Sequence, residues 1–132
     1  MAYETILILG RTLLGSLFLY KGIEHFLKTR KLEAEARTRK IPEPELAVYL
    51  TGILLLTAAT GIILGIYPGI SIILLTLFLL TTTPVFHDFW RTHGTERQNQ
   101  RDQFIKNIAL IGALLILLTA DWSIGIGATL IL

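Results

Sequence analysis

Lys21, Glu24 and His25 stand close together at the end of a long apolar run, in the stretch LYKGIEHFLKTR. A cation, a carboxylate and an imidazole at that spacing lie within about one helical turn of each other, so each reaches a neighbour. A second group closes a later apolar run: His87, Asp88, Trp90 and Arg91, in PVFHDFWR. A third, Lys106 with Asn107, opens the last such run. The types define the chemistry. Imidazoles exchange protons near neutral pH, cations polarise a carbonyl oxygen, and aromatic and aliphatic neighbours shelter a greasy tail. His25 and His87 are therefore the candidate catalytic residues. Lys21, Glu24, Trp90, Arg91, Lys106 and Asn107 are the candidates for holding a polar head group such as a quinone. The bland reading of the same residues is snorkelling for Lys21, a helix end for Glu24 and His25, a local pairing of Asp88 with Arg91, and an interfacial aromatic for Trp90.

Metal chemistry is not expected. His25 and His87 offer one conceivable axial pair, but no His-x-x-x-His or Glu-x-x-His spacing occurs. There is no cysteine, which removes thiolate metal sites, iron–sulfur ligation and CxxCH haem attachment. Nucleophile triads, P-loops and dinucleotide fingerprints are missing too. No metal or haem is expected.

These groups need elements that carry them to one place. Of 132 residues, 52% are hydrophobic and only 17% charged, and the mean hydropathy is +0.61. A soluble domain of that size needs more charge to cover its surface. The charges collect in two blocks, residues 28–45 and 87–106, separated by apolar stretches. Net charge is +2 with no basic stripe, so nucleic acid is not an expected partner. The first apolar run has no basic residues before it and is too long for a cleavable signal. The pattern is that of a polytopic membrane protein, with the lipid bilayer as its environment.

A hydrocarbon core of ~30 Å needs about 20 apolar helical residues. Four segments meet or approach this, roughly 4–27, 46–66, 70–86 and 104–120. The expected fold is all-α, a single membrane domain over residues 1–132 built as an antiparallel bundle of four transmembrane helices. Pro42 and Pro44 punctuate the start of the second span, and Tyr67-Pro68-Gly69 reads as a tight turn joining the second to the third. Glu33 with Arg37, and Glu35 with Arg39, have the i, i+4 spacing of a short surface helix within 28–40. The tail from Asp121 onward is either an interfacial segment anchored by Trp122 or a continuation of the last helix. All ten Lys and Arg outside the first span fall in loops 28–45 and 87–103 or at the start of the fourth span. The positive-inside rule then puts both loops in the cytoplasm and both termini outside, in the plasma membrane. A multi-pass chain of this kind also allows a homo-oligomer.

The first span carries the most information. At 100° per residue, Glu4, Arg11, Gly15, Phe18, Gly22 and His25 fall within about 80° of one another. Arg11 lies deep in the apolar zone, where lipid exposure costs ~2.5–3.5 kcal/mol, so a partner or aqueous cavity is expected. Gly15 and Gly22 on the same stripe let a second helix approach closely. Arg11, Gly15 and Gly22 are read as intramembrane structural residues. The stripe faces the bundle interior.

The segments GRTLLGSLFLYKGIEHFLK, IPEPELAVYLTGILLL, FHDFW and KNIALIGALLILL, in that order, resemble the DoxX/DoxD-like family of small four-helix membrane proteins. That resemblance covers nearly the whole chain. It implies Arg11, Gly15, Gly22, His87, Trp90, Lys106, Asn107 and Gly112 as characteristic positions. It also implies a membrane subunit supporting quinone-linked sulfur or redox metabolism, beside a soluble redox or sulfur-metabolism subunit. Many members carry a Glu within the second helix, and here the region around Leu55 is apolar, which argues against proton-coupled chemistry at that depth. The alternative is a non-catalytic membrane scaffold or assembly factor that docks a soluble partner on its basic loops. A small-solute transporter ranks third, since four helices leave only a narrow path.

Overall fold

The computed structural model describes residues 2–122. These form five α-helices: α1 (Ala2–Leu27), α2 (Thr29–Thr38), α3 (Pro44–Leu64), α4 (Pro68–Phe86) and α5 (Gly94–Leu118), with one 3₁₀ turn at Phe89–Arg91. No strand occurs among the described residues. The fifth helix, α2, is the short surface helix expected within 28–40, and it brings the helix count to five. Among the described residues, three stretches are long and apolar enough to cross a membrane: Ala2–Leu27, Pro44–Leu64 and Pro68–Arg91.

The fourth expected span differs most. The loop expected over 87–103 holds the first turns of a 25-residue helix that begins at Gly94. Gly94 has φ of 63°, a left-handed conformation suited to glycine, and Glu96 sits in the first turn where the helix dipole favours it. The residues after it, TERQNQRDQ, include strong helix formers that carry no apolar face, so a reading guided by hydropathy sees a loop there. The apolar part from Phe104 to Leu118 spans only ~22 Å at helical rise.

The link between α3 and α4 lies two residues earlier than the sequence suggested. Gly65 closes α3 with φ of 72°, Tyr67 has φ of 46°, and Pro68 already opens α4. Gly69 is thus helical rather than part of the turn. The hydroxyls of Thr51, Thr57, Thr60, Thr76 and Thr81 donate to carbonyls four residues back, which leaves these spans with little unsatisfied polarity.

The helices pack in chain order: α1 on α3, α3 on α4, and α4 on α5, with α2 lying on α3. The core is Phe18, Leu55, Ala58, Ala59, Ile62, Ile72, Leu75, Leu79, Leu114, Leu117 and Trp122. Close approach of α1 and α3 depends on the two glycines read from the sequence. A Cβ on Gly15 would lie 2.5 Å from Ile63 Cγ1 and 3.2 Å from the Ala59 carbonyl. One on Gly22 would lie 2.9 Å from Leu56 and 3.0 Å from its backbone nitrogen. Gly52 on α3 is equally tight against His25 and Phe26. Gly112, by contrast, has nothing near its position.

Arg11 faces the interior, 4% exposed, with its guanidinium 5.6 Å from the centroid of the Trp122 ring. Trp122 is the buried partner that sequence reading lacked. α5 ends at Leu118, the chain turns, and the Trp122 indole donates to the Leu117 carbonyl. Residues 119–122 therefore do not extend the helix, and Trp122 belongs to the core rather than to an interfacial belt. The rest of the tail, 123–132, lies outside the described residues.

Candidate functional site

A cavity of about 410 Å³ occupies the half of the bundle that holds α2. Its walls are Leu17 and Phe18 from α1, Leu55 from α3, Phe78 and Leu79 from α4, and Leu110 from α5. Polar side chains also line it: Lys21, Glu24 and His25 from α1, His87 just beyond α4, and Gln103, Lys106 and Asn107 from α5. Topology accounts for the convergence. The C-terminal ends of α1 and α4 and the polar part of α5 meet at one level, so residues far apart in sequence share one space.

Six of the eight sequence-chosen chemical residues therefore line a single cavity. Trp90 and Arg91 do not. Trp90 is half exposed, and its ring packs edge-on against Phe89 and Phe104, at 5.4 and 6.1 Å. The Arg91 side chain is 77% exposed. The 3₁₀ turn explains both positions, since it carries the chain away from the α4 axis directly after His87.

The charges are unevenly matched. Glu24 is shared by Lys28, at 2.7 Å, and Lys21, at 3.6 Å. Lys28 lies just outside α1, and its pKa is raised, first by the hydrogen bond it gives Glu24 and then by that carboxylate's charge. Lys106 donates to Gln103 Oε1 at 2.6 Å, and among the described residues no carboxylate comes within ion-pair distance of it. Asn107 is buried and donates to Thr83 Oγ1 at 3.1 Å, which ties α5 to α4 at the cavity wall.

Both histidines are held through Nδ1. His25 Nδ1 lies 2.8 Å from the Lys21 carbonyl, one turn back. A carbonyl only accepts, so Nδ1 donates, and in the neutral ring Nε2 keeps its lone pair. His87 Nδ1 lies 2.8 Å from Gln100 Oε1 of α5. Each imidazole is thereby oriented.

Sequence reading missed the floor and the clamp. Leu32, Glu35 and Ala36 of α2, with Ile41, close the cavity on the loop side. α2 is fixed there by an ion pair between Arg39 Nη1 and Asp88 Oδ2 at 2.7 Å, with Asp88 only 5% exposed. The expected Asp88–Arg91 pairing is the longer contact, at 4.0 Å. Of the two pairs expected within α2, Glu33–Arg37 forms at 2.6 Å. Arg39 instead turns to Asp88, and Glu35 faces the cavity. The signal present in the sequence was the i, i+4 charge pattern, which marks a helix but not what its ends bind. Among the described residues, no group of three or more His, Asp or Glu side chains is placed to hold a metal ion.

Three long apolar helices, a glycine-mediated helix contact and a buried Arg on the inner stripe define a helical, multi-pass membrane protein. The chain belongs to the DoxX family, whose profile matches residues 6–88. Neither curated proteins nor solved structures give a match to it.

Proposed function

We propose that this chain is a four-span membrane subunit in quinone-linked redox metabolism, and that its cavity holds a quinone head group. The observation that carries this reading is the convergence of Lys21, His25, His87 and Lys106 on one apolar-walled cavity. Two cations suit the carbonyl oxygens of a quinone, two imidazoles suit its hydroxyls when reduced, and Leu17, Phe18, Phe78 and Leu110 suit the tail. α5 supplies the fourth span in this reading. Its apolar length is short, so the polar first turns stay outside the bilayer and the span is completed by local thinning. Loops 28–45 and 87–93 face the cytoplasm, both termini face outward, and the membrane is the plasma membrane.

The sequence has no cysteine, and on this reading electrons come from or go to a soluble redox or sulfur-metabolism subunit. The chain supplies binding and proton exchange. Leu55, fully buried on the cavity wall, keeps the middle of α3 apolar. Proton exchange is accordingly assigned to His25 and His87 rather than to α3.

Titrating the purified protein with a decyl-tailed quinone tests the reading. Saturable binding near one equivalent is expected, weakened about tenfold by His87→Ala. Absence of saturable binding would reject it. A second reading is favoured by one feature: α2 exposes Arg30, Lys31 and Arg37, on the same side as the polar first turns of α5. On that reading the chain is a scaffold that docks a soluble partner there. Co-purification of a stoichiometric soluble protein without any quinone would select it.

A further inference from the structure

We infer that Gln100 is a positioning residue that fixes His87 with its proton on Nδ1, so that Nε2 serves as a hydrogen-bond acceptor toward the cavity ligand. Gln100 lies in the part of α5 that the hydropathy pattern hides, and it does not line the cavity. His87 does line it. Gln100 therefore reaches the imidazole from behind, through a part-buried contact of 2.8 Å between Oε1 and Nδ1.

An amide oxygen only accepts a hydrogen bond, so the ring nitrogen facing it must donate. The nitrogen that donates settles the tautomer of the other. His87 is also fixed at its backbone, whose N–H bonds the Thr83 carbonyl at 2.9 Å. The ring is thus held at both ends of the residue.

His25 arrives at the same state by a different route, because its Nδ1 is used by the Lys21 carbonyl at 2.8 Å. A backbone carbonyl cannot be mutated away, whereas the Gln100 amide can. The two imidazoles then offer matched acceptors, and such a pair favours a ligand form that brings hydroxyl donors. A dihydroxy aromatic ring, the hydroquinone, is that form. This last step rests on the quinone reading of the cavity; the tautomer assignment does not.

The test uses the full-length protein in lipid nanodiscs, labelled with ¹⁵N-histidine, at a pH where the imidazoles are neutral. Removing His25 and His93 one at a time assigns the three histidine signals. Wild-type His87 is expected to show a protonated Nδ1 and an unprotonated Nε2. Gln100→Leu should shift it toward the mixed tautomers of an unconstrained histidine, and Gln100→Glu, whose carboxylate accepts in the same place, should restore the wild-type pattern. A proton on Nε2 in the wild type, or an unchanged spectrum in Gln100→Leu, overturns the inference. Should the Leu variant fail to fold, the Glu variant decides alone: loss of the Nδ1–H form there also overturns it. Binding of a decyl-tailed hydroquinone should weaken about tenfold in Gln100→Leu and recover in Gln100→Glu. A correct tautomer with no hydroquinone binding removes the quinone reading and leaves the positioning role. Binding that persists with the wrong tautomer does the reverse.

Discussion

Replacing Arg39 with Ala should destabilise the protein more than replacing Asp88, its partner, with Asn. The pair joins the end of α2 to the segment after α4 across 2.7 Å, and its two sides are unequally buried. The Asp88 side chain is 7% exposed and that of Arg39 30%. Breaking a buried pair by removing one partner costs about 3–5 kcal/mol when the charge left behind is fully buried. Arg39→Ala leaves such a charge, with Arg91 at 4.0 Å as the remaining cation among the described residues. Allowing for the partial exposure of Arg39, the expected loss is about 2–3 kcal/mol. Asp88→Asn leaves a cation that already reaches solvent, so its cost should be about 1 kcal/mol. Added to Asp88→Asn, the Arg39 change should then cost little. The assay is equilibrium unfolding of the wild type and the three variants in mild detergent by SDS titration, followed by helical circular dichroism. Equal losses for the two single variants, or simple additivity in the double, would refute the argument that a buried carboxylate needs this particular cation.

The remaining expectations concern packing and charge. Gly22→Val should cost about 1–3 kcal/mol in the same unfolding assay, because any Cβ there meets the α3 backbone; Gly10→Ala, whose Cβ meets nothing within 4 Å, should leave stability unchanged or slightly raised. Trp122→Ala should cost about 3–5 kcal/mol by thermal unfolding, while Trp122→Phe, which keeps a ring near Arg11, should lose distinctly less. Lys28 has a raised folded-state pKa, so the stabilisation from its pair with Glu24 is full below the ordinary lysine value and fades as pH rises through the raised one. Lys28→Gln should therefore differ from wild type at neutral pH and converge with it in strong alkali, by a small margin because Lys28 is exposed.

The spans that cross on apolar length alone were legible to within a few residues, since hydropathy and proline punctuation report the same thing there. α1 runs to Leu27 and α4 to Phe86, both as read. The stripe on α1 was legible for the same reason: Arg11, Gly15, Phe18 and Gly22 share a face by helical geometry and are the buried residues of that helix, whereas Glu4, read on the same stripe, is exposed and His25 is half-buried. What escaped lies where the signal depends on tertiary contact. The first turns of α5 are helical without being apolar, so nothing in their periodicity announces them. The Trp122–Arg11 contact joins the two ends of the chain, and the Arg39–Asp88 pair spans 49 residues. Trp90 and Arg91 were chosen because they follow His87 in sequence. The 3₁₀ turn at Phe89–Arg91 separates them from it in space. Adjacency along a chain survives only while the helix continues.

Phe18 and Leu55, both almost fully buried, lie deeper in the bundle than the cavity's ionisable rim, and Arg11 lies deeper still along α1. Hydrocarbon this dense is an electrical insulator: a bare ion crossing it meets a barrier of several kcal/mol. On the proposed reading, a proton exchanged at the cavity would leave by the opening through which it arrived. The layer of Phe18 and Leu55 would then keep such a guest from leaking the voltage stored across the membrane.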